Sequence, residues 1–205
     1  MTAVMLRRAR KKAATRAQIL TTAVELFSRH GLEAVTVDQI SEAADVGKGT
    51  IYNYFKTKED VVVAFMADIE LRVQKKLGRL AASEGPLDLI LVRFIEFQFR
   101  LKKQYYQFVR VFMGQMFMHT EHFLPYMIEM QKVIDPQMET LFLRLRKRGL
   151  VRADLDLPQL TMAFKTMQLG LTALWAVEGP PFRQTAKTLR HEMKFLCEGI
   201  GRRSC

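Results

Sequence analysis

Cysteine is scarce in this sequence of 205 residues, where only Cys197 and Cys205 occur. Two cysteines cannot form a disulfide framework, which excludes the small disulfide-stapled classes and favours a reducing compartment. The 11 glycines and 6 prolines are too few for a loop-rich or many-turned β architecture. No apolar run approaches the roughly 18 residues of a spanning helix, and no signal-peptide core follows the basic amino terminus. We therefore expect a cytoplasmic protein that does not span a membrane.

Positive charge is present in excess, because 32 Lys+Arg face 21 Asp+Glu and give a formal net charge of +11. Such a surplus favours an anionic partner, either nucleic acid or a membrane surface. Residues 1–16 hold six cations and no acid. We predict that residues 1–14 form a basic, flexible arm. This arm is either a solvated tail or a run of cations that lies along DNA phosphates or in a minor groove. With 49% hydrophobic residues the remainder can bury a full core.

Apolar residues recur at the three/four spacing of helices along nearly the whole chain. The pattern predicts an all-α fold of about nine helices. Residues 15–60 form a helix-turn-helix domain in this prediction, and residues 61–205 form a second, helical-bundle domain. Pro136 either kinks one long helix or starts another.

The most informative stretch is Thr36–Lys58, with the sequence TVDQISEAADVGKGTIYNYFKTK. Two short amphipathic segments joined by a three-residue turn are the helix-turn-helix pattern. Val46, Ile51 and Phe55 can pack inward, which leaves polar residues over the outer surface of the second helix. Lys48 can reach guanine or phosphate there, and Asn53 can pair with adenine.

The sequence from about Thr15 to Phe65 resembles the amino-terminal domain of the TetR/AcrR family of bacterial transcriptional regulators. The likeness rests on the stop from Phe27 to Gly31, the segment TVDQISEAA and the run KGTIYNYFKTK. Family members often have Ser where this chain has Gly47, so no side chain can reach a phosphate from that position. The resemblance implies a DNA-reading surface, and we predict contacts from Thr36, Lys48, Gly49, Thr50, Tyr52, Asn53, Tyr54 and Lys58. Among these, Thr36, Tyr54 and Lys58 are expected on phosphates, although Lys58 can instead neutralise Glu59 or Asp60.

The second domain of this family typically binds a small-molecule effector, which suggests a use for the many Phe and Met residues after Pro86. Met and aromatic side chains line pockets for apolar ligands, but the same stripe also fills an ordinary core. Our candidate pocket residues are Phe94, Glu96, Phe97, Gln98, Arg110, Phe112, Met113, Met116, His119 and Met127.

The resemblance also implies a homodimer that reads a palindromic double-stranded operator. For its interface we predict an apolar face on the last two helices, formed by Met167, Gly170, Leu171, Leu174, Leu189, Met193 and Leu196. The expected function is that of a repressor released by a small, largely apolar effector. Activation, ligand-independent regulation and a peripheral membrane or scaffold role for the basic arm are the alternatives. No pattern indicates an enzyme, a metal site or a cofactor.

Overall fold

The computed structural model describes residues 3–118 and 120–200, so the prediction for His119 lies outside the described residues. Across these two ranges the chain forms helices and no strand, which confirms the predicted all-α fold. None of these helices combines the length and hydropathy needed to cross a bilayer. The nine helices of the described ranges are α1 Ala3–His30, α2 Val37–Ala43, α3 Lys48–Tyr52, α4 Lys58–Ala81, α5 Leu87–Lys103, α6 Tyr106–Met118, α7 Thr120–Lys147, α8 Leu157–Glu178 and α9 Arg183–Ile200.

The first helix begins at Ala3, where the sequence predicts a flexible arm. Alanine, arginine and lysine are among the strongest helix formers, and they dominate this segment. The side chains from Met5 to Ala14 are all exposed, so the arm is an external helical extension of α1. The helix ends as predicted at Gly31, whose φ of +81° is open to glycine and whose amide donates to the Phe27 carbonyl.

A reciprocal cap fixes the start of α2. The Thr36 hydroxyl accepts from the Gln39 amide at 3.2 Å, and the Gln39 side chain accepts from the Thr36 amide at 2.8 Å. The Gln18 side chain of α1 donates to the Ala44 carbonyl at 2.8 Å and so ties the end of α2 to the first helix. Asp45 follows with φ +49°, a left-handed conformation that Asp tolerates in a tight turn.

The later helices begin and end at side chains that satisfy free backbone groups. Asp156 accepts from the Gln159 amide at 2.8 Å and caps α8. The Glu178 carboxylate accepts from the amides of Gln184 and Thr185, both at 2.7 Å, and caps α9. Burial alone would raise the Glu178 pKa, but these hydrogen bonds lower it overall. Pro136 lies inside α7, so the chain forms one long helix at that position.

The fold consists of two compact units. The N-terminal unit comprises Met1–Asp68 with Gln107–Phe123, and the C-terminal unit comprises Ile69–Tyr106 with Leu124–Cys205. In the N-terminal unit Phe65 packs edge-on against Phe108 at 4.9 Å, while Phe27 stacks on the same ring at 6.4 Å. The sequence places its domain boundary at residue 60, and it does not anticipate that α6 supplies core residues beside the helix-turn-helix.

The C-terminal unit has its own apolar core. Phe164 lies at its centre, where it stacks on Phe94 at 6.2 Å and meets the edge of Phe142 at 5.6 Å. A second aromatic group surrounds Trp175, the single tryptophan of the chain. Cys197 is half-buried against this core, and burial raises the pKa of its thiol to about 12.

Candidate nucleic-acid interface

The short helix α3 separates an inner from an outer surface. Ile51 and, just beyond the helix, Phe55 are buried in the N-terminal unit, as the sequence predicts. On the opposite side Lys48, Gly49, Tyr52 and Asn53 are exposed, and Tyr52 keeps 47% of its surface in solvent. The Tyr52 ring and hydroxyl are therefore accessible from solvent. The outer surface of α3 can therefore offer hydroxyl, amide and ammonium groups to a partner.

Lys48 does not stand alone on this surface. Its ammonium contacts the carboxylate of Asp38 in α2 at 2.6 Å. The hydrogen bond to Asp38 and its negative charge raise the Lys48 pKa above its ordinary value. Any base or phosphate contact by Lys48 must replace this exposed ion pair. Sequence reasoning missed Asp38 because the pairing joins two helices and has no signature in local spacing.

Two glycines lie at the start of α3, Gly47 just before the helix and Gly49 in its first turn. Gly47 is the N-cap, with extended φ −65° and ψ 145° and no side-chain hydrogen bond to the free amides. A Cβ at Gly49 would meet no atom of the protein within 4 Å. Nothing in the fold thus requires glycine at position 49, whereas a closely approaching partner would. Thr50 is half-buried beside these two residues.

Lys58 holds the loop after α1 rather than extending freely. Its ammonium donates to the Leu32 carbonyl at 2.8 Å and the Glu33 carbonyl at 3.3 Å, with the Glu33 carboxylate at 3.8 Å. Asp60, the pairing alternative named above, instead accepts from the amides of Lys56 and Thr57. The phosphate contact of Lys58 stays a prediction, and so does that of Thr36, whose hydroxyl serves the α2 cap.

The basic extension of α1 contributes to the surroundings of Tyr54. The Lys12 ammonium lies 6.0 Å from the centre of the half-buried Tyr54 ring. One turn later the Arg16 guanidinium lies 5.9 Å from the Phe55 ring and pairs with Asp68 at 3.0 Å. Such cation–π contacts stabilise by about 0.5–1 kcal/mol at exposed sites. The two cations therefore link α1 to the segment that follows α3.

The predicted pocket residues do not form one group. Arg110, Phe112, Met113 and Met116 belong to the N-terminal unit, where Phe112 meets the edge of Phe123 at 5.5 Å. Phe94, Glu96, Phe97, Gln98 and Met127 belong to the C-terminal unit. Of these, Glu96 lines a cavity of about 180 Å³ together with Phe99, Arg100, Lys103, Trp175, Phe182, Thr185, Ala186 and Leu189. Ligand pockets usually measure about 300–1,000 Å³, so this cavity suits only a very small molecule.

The predicted dimer face requires a correction. Leu171, Leu189 and Met193 are buried in the core of their own chain and cannot also form an outer surface. Periodicity failed on α8 because that helix is apolar around most of its circumference, and on α9 because the apolar side of that amphipathic helix packs inside its own chain. Gly170 is exposed, while Met167, Leu174 and Leu196 are half-buried. The large apolar side chains exposed on the last two helices are Met162, Leu169, Val177 and Phe195.

Residues 19–65 match the family model of bacterial regulatory proteins of the tetR family. The HTH-type transcriptional regulator TcmR of Streptomyces glaucescens is 38% identical over 80 residues, which are 39% of this chain and 35% of the regulator. The chain thus spans about a third of this curated relative. Over the whole fold it resembles the fatty acid degradation regulator FadR from Bacillus halodurans, with a TM-score of 0.74 and 20% identity over 92% of this chain and 97% of that one.

A second solved structure is the Thermus thermophilus FadR, a TetR-family transcriptional repressor in complex with lauroyl-CoA. Its TM-score is 0.68, at 20% identity over 93% of this chain and 97% of that chain. The fold and the exposed α3 surface define an all-helical protein with an amino-terminal helix-turn-helix. The family match over that motif then gives the assignment of this segment: residues 19–65 are a helix-turn-helix region of the tetR-family type of bacterial regulatory proteins.

Proposed function

We propose that the protein is a cytoplasmic, dimeric transcriptional repressor without enzymatic activity that binds a palindromic operator. The observation that carries the proposal is the exposed surface of Lys48, Gly49, Tyr52 and Asn53 within the family match. Side chains of this kind on the second helix of a helix-turn-helix read base edges in the major groove. The proposal assigns phosphate contacts to Thr36, Tyr54 and Lys58. It assigns Thr50, which lies next to the exposed surface, to the groove.

A homodimer follows from the same reasoning. Two helix-turn-helix units must sit about 34–36 Å apart to enter successive major grooves on one side of the duplex. The exposed apolar side chains of α8 and α9, above all Val177 and Phe195, support these helices as the pairing surface, because pairing would remove these side chains from water. Two-fold symmetry then makes the operator palindromic.

The effector of this repressor is a small, largely apolar molecule bound by the C-terminal unit. The solved repressor that holds lauroyl-CoA has the same fold, which supports an acyl-type ligand. The aromatic core of the C-terminal unit, in which Phe164 contacts both Phe94 and Phe142, also supplies apolar surroundings for such a ligand. The effector can weaken DNA binding only by its preference for a conformer with poorly spaced units.

Selection from randomised DNA duplexes tests the proposal. The full-length protein should enrich a palindrome, and sedimentation should show two chains bound to each selected duplex. Recovery of no sequence motif, or of a motif bound by a single chain, would contradict a dimeric operator-binding protein.

The helical extension of α1 should supply nonspecific attraction. We predict that replacing Arg7, Arg8, Arg10 and Lys11 by Gln weakens binding to all sequences alike. The log–log salt dependence of binding should fall by about 0.9 for each phosphate that the variant no longer neutralises. Titrations of operator and random DNA at several salt concentrations measure both quantities. Four exposed cations of the C-terminal unit provide the charge-matched control, and their replacement should leave the slope nearly unchanged: Arg144, Lys147, Lys187 and Arg190.

A further inference from the structure

The core of the C-terminal unit contains hydrogen-bond donors without acceptors. Across the described residues five polar side chains are buried, namely Gln98, Lys102, Thr161, Thr172 and Thr185. Two of these have ordinary partners: the Thr172 hydroxyl donates to the Gln168 carbonyl, and the Thr185 hydroxyl donates to Glu178. The remaining three, Gln98, Lys102 and Thr161, lie on α5 and α8.

The Gln98 side chain makes one hydrogen bond through its oxygen, whereas the N–H donors of its amide group make none. Its Oε1 accepts from the Gln168 Nε2 at 2.7 Å, which joins α5 to α8. The Gln98 side chain is only 2% exposed, and its own Nε2 is buried without a hydrogen-bond partner. A buried donor without an acceptor destabilises the folded state, so each such group calls for an explanation.

Lys102 lies one helical turn after Gln98 on the same face of α5. It is 8% exposed, and within the described ranges no carboxylate lies within 4.0 Å of its ammonium. Burial lowers the Lys102 pKa, and the more distant charge of Glu70 opposes this shift only in part. Burial likewise raises the pKa of Glu70. A lysine side chain this deeply buried, with no carboxylate in direct contact, is costly to hold in a core.

Apolar surfaces adjoin the two donors. Phe94 precedes Gln98 by one turn on α5 and stacks on Phe164 of α8. The buried Thr161 hydroxyl, a further group without a partner, lies three residues before Phe164. The sequence of groups along α5 is thus an aromatic ring, an amide donor and an ammonium. This order matches a molecule with an apolar body and an anionic end.

We propose that Gln98 and Lys102 bind the carboxylate of an apolar monocarboxylic acid. The Lys102 ammonium and the Gln98 Nε2 would each donate to one carboxylate oxygen, which gives both donors the acceptor that they lack. A neutral ligand could satisfy the amide but would leave the ammonium unpaired. The inference rests on the proposed effector function, for which it names the ligand class and the recognising residues. Because the donors are buried, entry requires an opened conformer, and occupancy is thereby coupled to conformational change.

Calorimetric titration of the full-length protein without DNA tests this inference. The probes are dodecanoate and 4-phenylbutyrate, each paired with the neutral alcohol of the same carbon skeleton. We expect at least one acid to bind, and its alcohol to bind roughly tenfold or more weakly. Lys102→Met and the isosteric Gln98→Glu should each weaken binding of that acid by roughly ten- to a hundredfold. Lys147→Met is the matched control, because Lys147 is an exposed lysine of α7 outside both the proposed site and the cavity described above, and it should retain wild-type affinity.

Thermal melting separates loss of recognition from loss of folding. Lys102→Met removes an unpaired buried charge, so its melting temperature should equal or exceed that of the wild type. Failure of both acids to bind, equal affinity for acids and alcohols, or full affinity in Lys102→Met would each overturn the inference. DNA binding is measured separately on the same preparations. Operator binding that persists while no acid binds leaves the repressor proposal standing, whereas acid binding without operator binding refutes only the repressor.

Discussion

Tyr52→Ala is expected to abolish selective operator binding while leaving the fold and the dimer intact. The side chain is 47% exposed, so its removal leaves no buried cavity. A base contact contributes about 1–3 kcal/mol to discrimination, and a symmetric dimer loses two of them at once. The affinity for the operator should therefore fall by roughly 30-fold or more, while the affinity for random DNA changes little. Fluorescence anisotropy with both duplexes measures the difference.

Tyr52→Phe and the Lys48–Asp38 pair refine this test. Tyr52→Phe keeps the ring, so a wild-type preference in this variant would assign recognition to stacking and apolar contact rather than to the hydroxyl. Lys48→Ala should also lose selectivity, whereas Asp38→Asn releases the lysine from its 2.6 Å ion pair and should strengthen DNA binding. Selective binding that survives in both Tyr52→Ala and Lys48→Ala would refute the assignment of α3 as the recognition helix.

The elements predictable from sequence are those with a local physical cause. Thr36 and Gln39 form a reciprocal cap three residues apart, and Gly31 supplies a left-handed conformation, so the end of α1 and the start of α2 follow from short-range chemistry. The inward packing of Ile51 and Phe55 follows from helical periodicity in the same way. The exposure of Lys48, Tyr52 and Asn53 follows from the same periodicity, whereas Thr50 and Tyr54 are half-buried by packing that the local pattern does not reveal.

Features that depend on distant packing could not be predicted. The pairing of Lys48 with Asp38 joins two helices across a turn, and Gln98 meets Gln168 over 70 residues of sequence. The dimer-face prediction for Leu189 is wrong because apolar spacing marks a buried side without saying what buries it. Net charge is also an incomplete guide, since residues 17–60 contain four basic and seven acidic side chains. The charge of the predicted DNA-reading segment is thus negative, and recognition depends on where its few cations stand.

Trp175→Ala should cause the largest loss of stability among single substitutions in the second aromatic group. The indole ring is only 2% exposed and lies between Phe99 at 5.6 Å and Phe182 at 4.8 Å, both nearly parallel to it. Tyr106 meets its edge at 5.3 Å and donates from its hydroxyl to the Ala176 carbonyl at 2.9 Å. Truncation of a buried Trp costs about 3–5 kcal/mol, because the cavity adds to the lost transfer energy.

Calorimetric melting at fixed protein concentration should show this loss as a fall in Tm of roughly 10 °C, given about 2–4 °C per kcal/mol for a chain of this size. Trp175→Phe keeps a flat ring between Phe99 and Phe182, so its Tm should lie much closer to that of the wild type. The aromatic group also holds the turn after α8, where Gly179 has φ +70° and the Tyr106 hydroxyl lies 2.8 Å from the site of a Cβ. Glu178 immediately precedes that turn, and its carboxylate caps α9. Loosening Trp175 should therefore also destabilise the last helix. A Tm within about 2 °C of wild type for Trp175→Ala, below the shift expected for even 1 kcal/mol, would show that this group is peripheral to the core rather than part of it.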